Sequence, residues 1–189
     1  MMNIPIRKYL ICDNQFRVFA IGKDQTGTFS IEEDIAYASA FTTMLLSQEE
    51  RITFNFKNEN SNCFLYIDSF SQGNCFYRLP LGEASVLGTK LFVTKSKLKN
   101  FGASYNSIMQ FHEFDILKNI SSYYKESEQM ELSFIENDKC ILMIQPLPFF
   151  EETQYHYIME ELNAFQGDEE RYLSNEYLVE TIQVKVLKQ

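Results

Sequence analysis

The side chains of this 189-residue chain best suited to nucleophilic, proton-transfer or metal chemistry near neutral pH are two imidazoles, His112 and His156, and four thiols, Cys12, Cys63, Cys75 and Cys140. Their spacing offers little chemistry. The cysteines are scattered, with no C-x-x-C and no C-x-C, so ligand spacing for structural zinc is absent and no metal is expected. Each lies in an apolar or strand-like run, where a thiol behaves as a small hydrophobe; a thiol enzyme would need an electropositive, accessible cysteine instead. His112 sits in FHEF just before a helical pattern with no nucleophile beside it, and reads as a capping or surface residue. His156 falls on the polar side of an amphipathic stretch and reads as solvated. The chain contains no G-x-S-x-G, G-x-x-x-x-G-K, G-x-G-x-x-G or H-E-x-x-H, and its seven glycines leave little material for a phosphate cradle. The carboxylate runs Glu32, Glu33, Asp34 and Glu49, Glu50 are placed as helix ends require. No enzyme and no cofactor is therefore expected.

Composition narrows the remaining classes. A hydrophobic fraction of 45% excludes a disordered chain, and Phe 17 with Tyr 11 supplies more ring surface than one core of this size needs, so some rings are expected at a surface. The net charge of -9 repels phosphate backbones. The densest basic stretch, Lys90 to Lys99, alternates charge with apolar residues as a half-exposed strand would, so no nucleic-acid partner is expected. No run approaches the length of a membrane helix, and MMNIPIRKYLICDNQ lacks the apolar core of a signal peptide, which leads to the expectation of a cytoplasmic protein without membrane contact.

The elements that would position any site follow from periodicity. YLICDNQFRVFAI reads as strand, turn, strand. Ser30 opens a helix through a capping box with Glu33, with Ile31, Ile35, Ala38, Thr42 and Leu45 along one face and small residues at Ala36, Ser39 and Ala40. RITFNFK places Ile52, Phe54 and Phe56 on one face; CFLYIDSF carries bulk on both; CFYRLPL, LFVT and SYNSIMQF complete a predicted antiparallel meander of about five strands. Asp115 caps a second helix bearing Ile116, Ile120, Tyr123 and Tyr124. A hairpin around ENDK follows, its arm CILMIQ apolar on both faces, and Pro146 and Pro148 end it. Beyond them Tyr155, Ile158, Met159, Leu162 and Phe165 form one helical stripe with Gly167 as its stop; a shorter helix is predicted over SNEYLVETI from a capping Ser174, and VKVLKQ as a terminal strand. The expected class is α+β, antiparallel sheets packed with helices in 1–148, followed by a small helical linker region over 149–189.

The order of these segments resembles the 33 kDa heat shock chaperone family, a redox-regulated, ATP-independent holdase. YNSIMQFHEFDILKNISSYYKESEQMELSF is similar to that family's strand, loop and helix ending in an aromatic pair and SEQ, carried here by Tyr123, Tyr124, Ser127, Glu128 and Gln129. RKYLICDNQFRVFAI resembles its opening strand pair, LLSQEERITFNFKNENSNCFLYIDSFSQGNCFYRL its helix-to-sheet passage, and YIMEELNAF with EYLVETIQVKVLKQ its linker. Two departures are local: KNENSN lacks the family's glycines, and Arg78 is followed by Leu79 rather than glycine. A third is larger, because the sequence ends at Gln189 where the family's zinc module of C-x-C and C-x-x-C would begin.

The resemblance implies an ATP-independent holdase that binds unfolded or aggregation-prone polypeptides on an apolar surface, here without the zinc redox switch, and it implies homodimers. Phe54, Phe56, Phe64 and Tyr66 on the strands and Tyr155, Ile158, Met159, Leu162 and Phe165 on the linker helix are the candidate client-binding residues, with the linker helix as a reversible cover; plain core packing is the competing reading of each. An adaptor or regulatory subunit binding one folded partner is the alternative function.

Overall fold

The computed structural model describes residues 1–23, 30–58, 63–79, 90–99, 104–110, 115–164, 173 and 177–188, without the side chains at 63, 64 and 177. His112, Phe165, Gly167 and Ser174 lie outside the described residues. The strands are β1 (Met2–Ile11), β2 (Phe16–Gly22), β3 (Glu50–Lys57), β4 (Cys63–Phe70), β5 (Asn74–Arg78), β6 (Lys90–Lys97), β7 (Ser104–Gln110), β8 (Ser133–Glu136), β9 (Cys140–Pro146) and β10 (Tyr177–Lys188). The helices are α1 (Ile31–Met44), α2 (Ile116–Ser127) and α3 (Glu152–Ala164). The α+β class holds, with a sheet that is mixed, since β10 runs parallel to β5. The chain divides into two compact units, the first comprising Met1–Ile4, Phe29–Asn119 and Gln183–Gln189 and the second Pro5–Thr28 and Ile120–Ile182.

In the first unit the strand order is β7-β6-β3-β4-β5-β10. All five strands expected between residues 51 and 110 form, but not as a simple meander: β6 pairs with β3 rather than β5, with Phe54 opposite Val93. Local alternation sets which face a residue takes, whereas strand order depends on which free edge a returning chain meets. Ser30 caps α1 as expected: the Glu33 amide donates to Ser30 Oγ at 3.3 Å and the Ser30 amide to Glu33 Oε2 at 3.2 Å. Ile35, Ala36, Ala38, Ala40 and Phe41 are fully buried, while Ile31, expected on the same stripe, is 49% exposed because it lies in the first turn beside the acidic residues. The small residues let α1 sit close on β4 and β5, where the Thr42 and Ser69 hydroxyls hydrogen-bond and Ser69 Oγ donates to the Ser39 carbonyl at 3.2 Å.

In the second unit the order is β1-β2-β9-β8. The β1–β2 turn is tight, with Cys12, Asp13 and Asn14 all at positive φ (51, 51 and 64°). Asn137 closes the β8–β9 hairpin by accepting from the Lys139 and Cys140 amides at 2.8 and 2.9 Å. Cys140 to Gln145 are buried without a break, as the two-faced apolar run predicts. The core here includes Phe16, Val18, Leu142, Ile144, Ile158 and Leu162.

The terminal section departs from expectation. Among the described residues of this section only Glu152–Ala164 is helical; Tyr177–Lys188 is one long strand, so the helix predicted over SNEYLVETI is not formed over 177–182, and its Ser174 start is outside the described residues. The physical reason lies in Val179, Thr181, Ile182, Val184 and Val186, β-branched side chains that lose rotamer freedom in a helix and fit a pleated strand. Val184 and Val186 are buried on one face while Lys185 between them is exposed, and Lys185 to Lys188 pair with Asn74 to Tyr77 of β5. Residues 149–189 are therefore not a helical linker throughout.

Candidate functional site: the ring-bearing face of the first unit's sheet

Alternation in β3 to β6 sorts the first unit's side chains onto two faces. Ile52, Phe54, Phe56, Leu65, Ile67, Cys75, Leu91 and Val93 are at most 1% exposed, on the face that carries Ser69 and therefore α1. The intervening positions form the other face. Register places Ile108, Phe92, Asn55, Tyr66 and Arg78 in one row across five strands, and Asn106, Thr94, Thr53, Asp68 and Phe76 in the next. Arg51 and Phe70 stand opposite one another in a third. Tyr66, Phe70, Phe76 and Phe92 are half-buried and Ile108 is 64% exposed.

A polar cluster pins this face. Asp68, 6% exposed, receives Arg51 Nε at 2.7 Å and Nη2 at 2.8 Å in a bidentate pair, Thr53 Oγ1 at 3.0 Å and the Tyr66 hydroxyl at 3.1 Å. These four donors occupy the acceptor sites of the carboxylate, which makes its burial tolerable and leaves it no free base function. The bond to Asp68 holds the Arg51 guanidinium above its ordinary value, against the opposing effect of burial. Burial and the neighbouring Asp68 charge push the Tyr66 phenol up, so it remains a neutral donor. Arg51 also stands 5.3 Å over the Phe70 ring, which meets Phe76 edge-on at 5.9 Å, and Lys57 Nζ lies 4.6 Å from the Phe92 ring centre. The arrangement offers apolar ring surface held by charged neighbours, suited to docking rather than to bond making.

The Cys75 thiol is pushed up to about 12, first by burial and then by the Asp68 charge, and it donates to the Lys185 carbonyl at 3.6 Å. This fits a structural thiol. Among the described residues no group of three or more His, Cys, Asp and Glu is placed to hold a metal.

Of the candidates read from sequence, Tyr66 lies on the ring-bearing face, while Phe54 and Phe56 form its underside, buried at 0 and 1%. Phe64 belongs to β4 but its side chain is outside the described set, as is all of Phe165. In the second unit, Ile158 (3%) and Leu162 (0%) lie in the core, with Tyr155 and Met159 half-buried against it. Tyr155 stacks on Phe16 at 6.1 Å, meets Phe150 edge-on at 5.8 Å and shares a hydroxyl bond with Ser133. The strand candidates and the helix candidates thus belong to different units. Phe70, Phe76, Phe92 and Ile108 were missed. Their signal was parity: Phe92 sits between Leu91 and Val93, and Phe76 between Cys75 and Tyr77, so core neighbours on both sides place each ring on the opposite face.

The family model described as Hsp33 protein matches residues 32–189. The chain belongs to the Hsp33 family. Hsp33 proteins are chaperones rather than enzymes, and chaperone is the functional class this membership supports. Among solved structures, the crystal structure of the 33 kDa chaperonin (heat shock protein 33 homolog) of Thermotoga maritima is similar, with a TM-score of 0.67 at 12% identity over 98% of this chain and 80% of that one. At that identity the likeness speaks for the shared Hsp33 fold alone. No curated protein matches the chain. No helix among the described residues is long and apolar enough to cross a membrane.

Proposed function

We propose that this Hsp33-family chain is an ATP-independent holdase that captures unfolded polypeptides on the ring-bearing face of its first unit and works without a zinc redox switch. The observation that supports this most is the set of half-buried rings, Tyr66, Phe70, Phe76 and Phe92, spread over three rows, with the exposed Ile108 opposite Phe92, on a sheet whose other face already supplies the core. Ring surface left at a sheet face among polar neighbours is suited to interaction. The underside, with Phe54 and Phe56, keeps the sheet rigid, and the second unit's Tyr155, Ile158, Met159 and Leu162 hold α3 in place. Absence of phosphate-cradle motifs argues against nucleotide-driven release, and scattered cysteines argue against a metal-release trigger.

The test is aggregation of denaturant-unfolded luciferase diluted into buffer without ATP. The chain is expected to suppress light scattering at near-stoichiometric ratios, equally with and without peroxide, and the double substitution Phe92→Ser with Ile108→Ser is expected to remove most of the protection while leaving the circular dichroism unchanged. Failure of the intact chain to suppress scattering, or capture of a single folded partner only, would overturn the reading in favour of an adaptor.

A further inference from the structure

The charges of the first unit are sorted by sheet face. On the face that carries α1, basic residues meet carboxylates: Lys95 stands 3.6 Å from Glu50, and Lys188 is paired with Glu32 of α1. On the ring-bearing face the same residue types stand without such partners. Register puts Lys57 directly opposite Lys90 at one end of this face, Arg78 opposite Tyr66, and Lys185 beside Asn74 at the other end, in the row of Phe70 and Arg51. Arg78, Lys90 and Lys185 are exposed and Lys57 is half-buried. None of these four forms an ion pair with another described residue. Asp68 is the carboxylate among the described side chains of this face, and its acceptor sites are filled by Arg51, Thr53 and Tyr66. The rings therefore lie inside a frame of cations, in a chain whose net charge is -9.

Like charges directly opposite on neighbouring strands repel, so the Lys57 and Lys90 pair opposes folding unless an anion lies against it. Charge and ring surface are also presented together: Lys57 Nζ lies 4.6 Å from the Phe92 ring centre, and Arg51 stands 5.3 Å over the Phe70 ring. A ligand that suits both carries carboxylates and apolar side chains close together in one chain. A nucleic acid would also meet the cations, but its bases stack on open ring faces, and those of Phe70 and Phe92 carry Arg51 and Lys57. A second copy of this face would bring cation to cation. Resting on the holdase reading above, we propose that the ring-bearing face selects unfolded segments in which glutamate or aspartate is interspersed with apolar residues.

The test measures, by fluorescence anisotropy with the full chain, binding of two disordered peptides of equal length and of a single-stranded oligouridylate. Both peptides intersperse leucine with serine, one adding glutamate and the other lysine. The glutamate peptide is expected to bind at least about tenfold more tightly than the lysine peptide at low salt, an advantage that shrinks as salt is raised. Lys57→Gln with Lys90→Gln is expected to weaken the glutamate peptide about fivefold. Lys95→Gln with Lys188→Gln makes the same change in net charge on the α1-bearing face and is expected to leave that affinity within about twofold of the parent. Equal or reversed preference of the parent for the two peptides, equal effects of the two double substitutions, or tighter binding of the oligouridylate than of the glutamate peptide would overturn the proposal. Each of these results leaves luciferase protection, and with it the holdase reading, intact. Failure of the parent chain in the luciferase assay would sink the holdase reading itself.

Discussion

Two strands with a neighbour on each side, β9 in the second unit and β6 in the first, are covered differently. In the second unit every side chain of β9 from Cys140 to Gln145 is buried, whichever face it takes. In the first unit β6 alternates, with Leu91 and Val93 buried and Phe92 and Thr94 half-exposed between them. A fully buried aromatic side chain is worth about 1.5–3 kcal/mol, so each half-wet ring forgoes about 1 kcal/mol. Four such rings, with Ile108 more exposed still, forgo several kcal/mol, a sizeable part of a domain's net stability. The first unit thus carries apolar surface at the expense of stability, and the second spends its apolar residues on holding together. The same residue types are left partly at the surface in one place and serve cohesion in the other.

The largest test of that contrast is truncation after Pro148, which deletes α3 and β10. Because Ile158 and Leu162 fill the second unit's core and Val184 and Val186 are buried in the first, the shortened chain is expected to lose its cooperative melt by circular dichroism; a sharp transition near the parent's would mean that neither element is structural. Leu162→Ala is expected to cost about 2–5 kcal/mol in denaturant unfolding, whereas Phe92→Ala should cost about 1 kcal/mol or less. If the two costs were alike, the units would not differ as described. Asp68→Asn removes the charge that meets Arg51; with Asp68 buried and the Arg51 side chain 39% exposed, a loss of about 2 kcal/mol is expected after allowance for solvent screening. Ser30→Ala should cost about 1 kcal/mol through loss of the cap, and an unchanged unfolding midpoint would show the cap to be idle.

A pH dependence sharpens the picture at the lower end of the scale. Cys75 has its folded value raised to about 12 from 9.0, so the neutral thiol is the form that folding favours. Its contribution to stability is full below about pH 9 and is lost as pH rises toward 12. Alkylation of Cys75 by iodoacetamide at pH 8 should therefore be slow in the native chain and become fast on unfolding; rapid native reaction would place the thiol near solvent.

Local order was largely legible in the sequence. The Ser30 and Asp115 caps are formed, the latter accepting from the Lys118 amide at 2.9 Å, and the two-faced burial of β9 follows from its unbroken apolar run. Long-range choices were not. The pairing of β6 with β3 and of β10 with β5 depends on which edges are free when distant segments meet, information absent from any local window. Ser174 is a good capping residue, but the β-branched Val179, Thr181 and Ile182 favour the strand that 177–182 form. The candidate site was half visible: Tyr66 was found because β4 is bulky on both faces, whereas Phe92 was missed because LFVT reads as a uniform apolar run until its neighbours are known to face the core.

The central claim, that clients lie on the ring-bearing face, is most directly tested by placing a photo-crosslinking amino acid at position 92 and, separately, at Ile31, which is exposed on α1 in the same unit, and irradiating each full-length variant with denaturant-unfolded luciferase. The account predicts abundant crosslinks from position 92 and few from position 31, with the former lost when excess unlabelled client is added. Equal yields from both positions, or none from position 92 while luciferase is still protected, would contradict it.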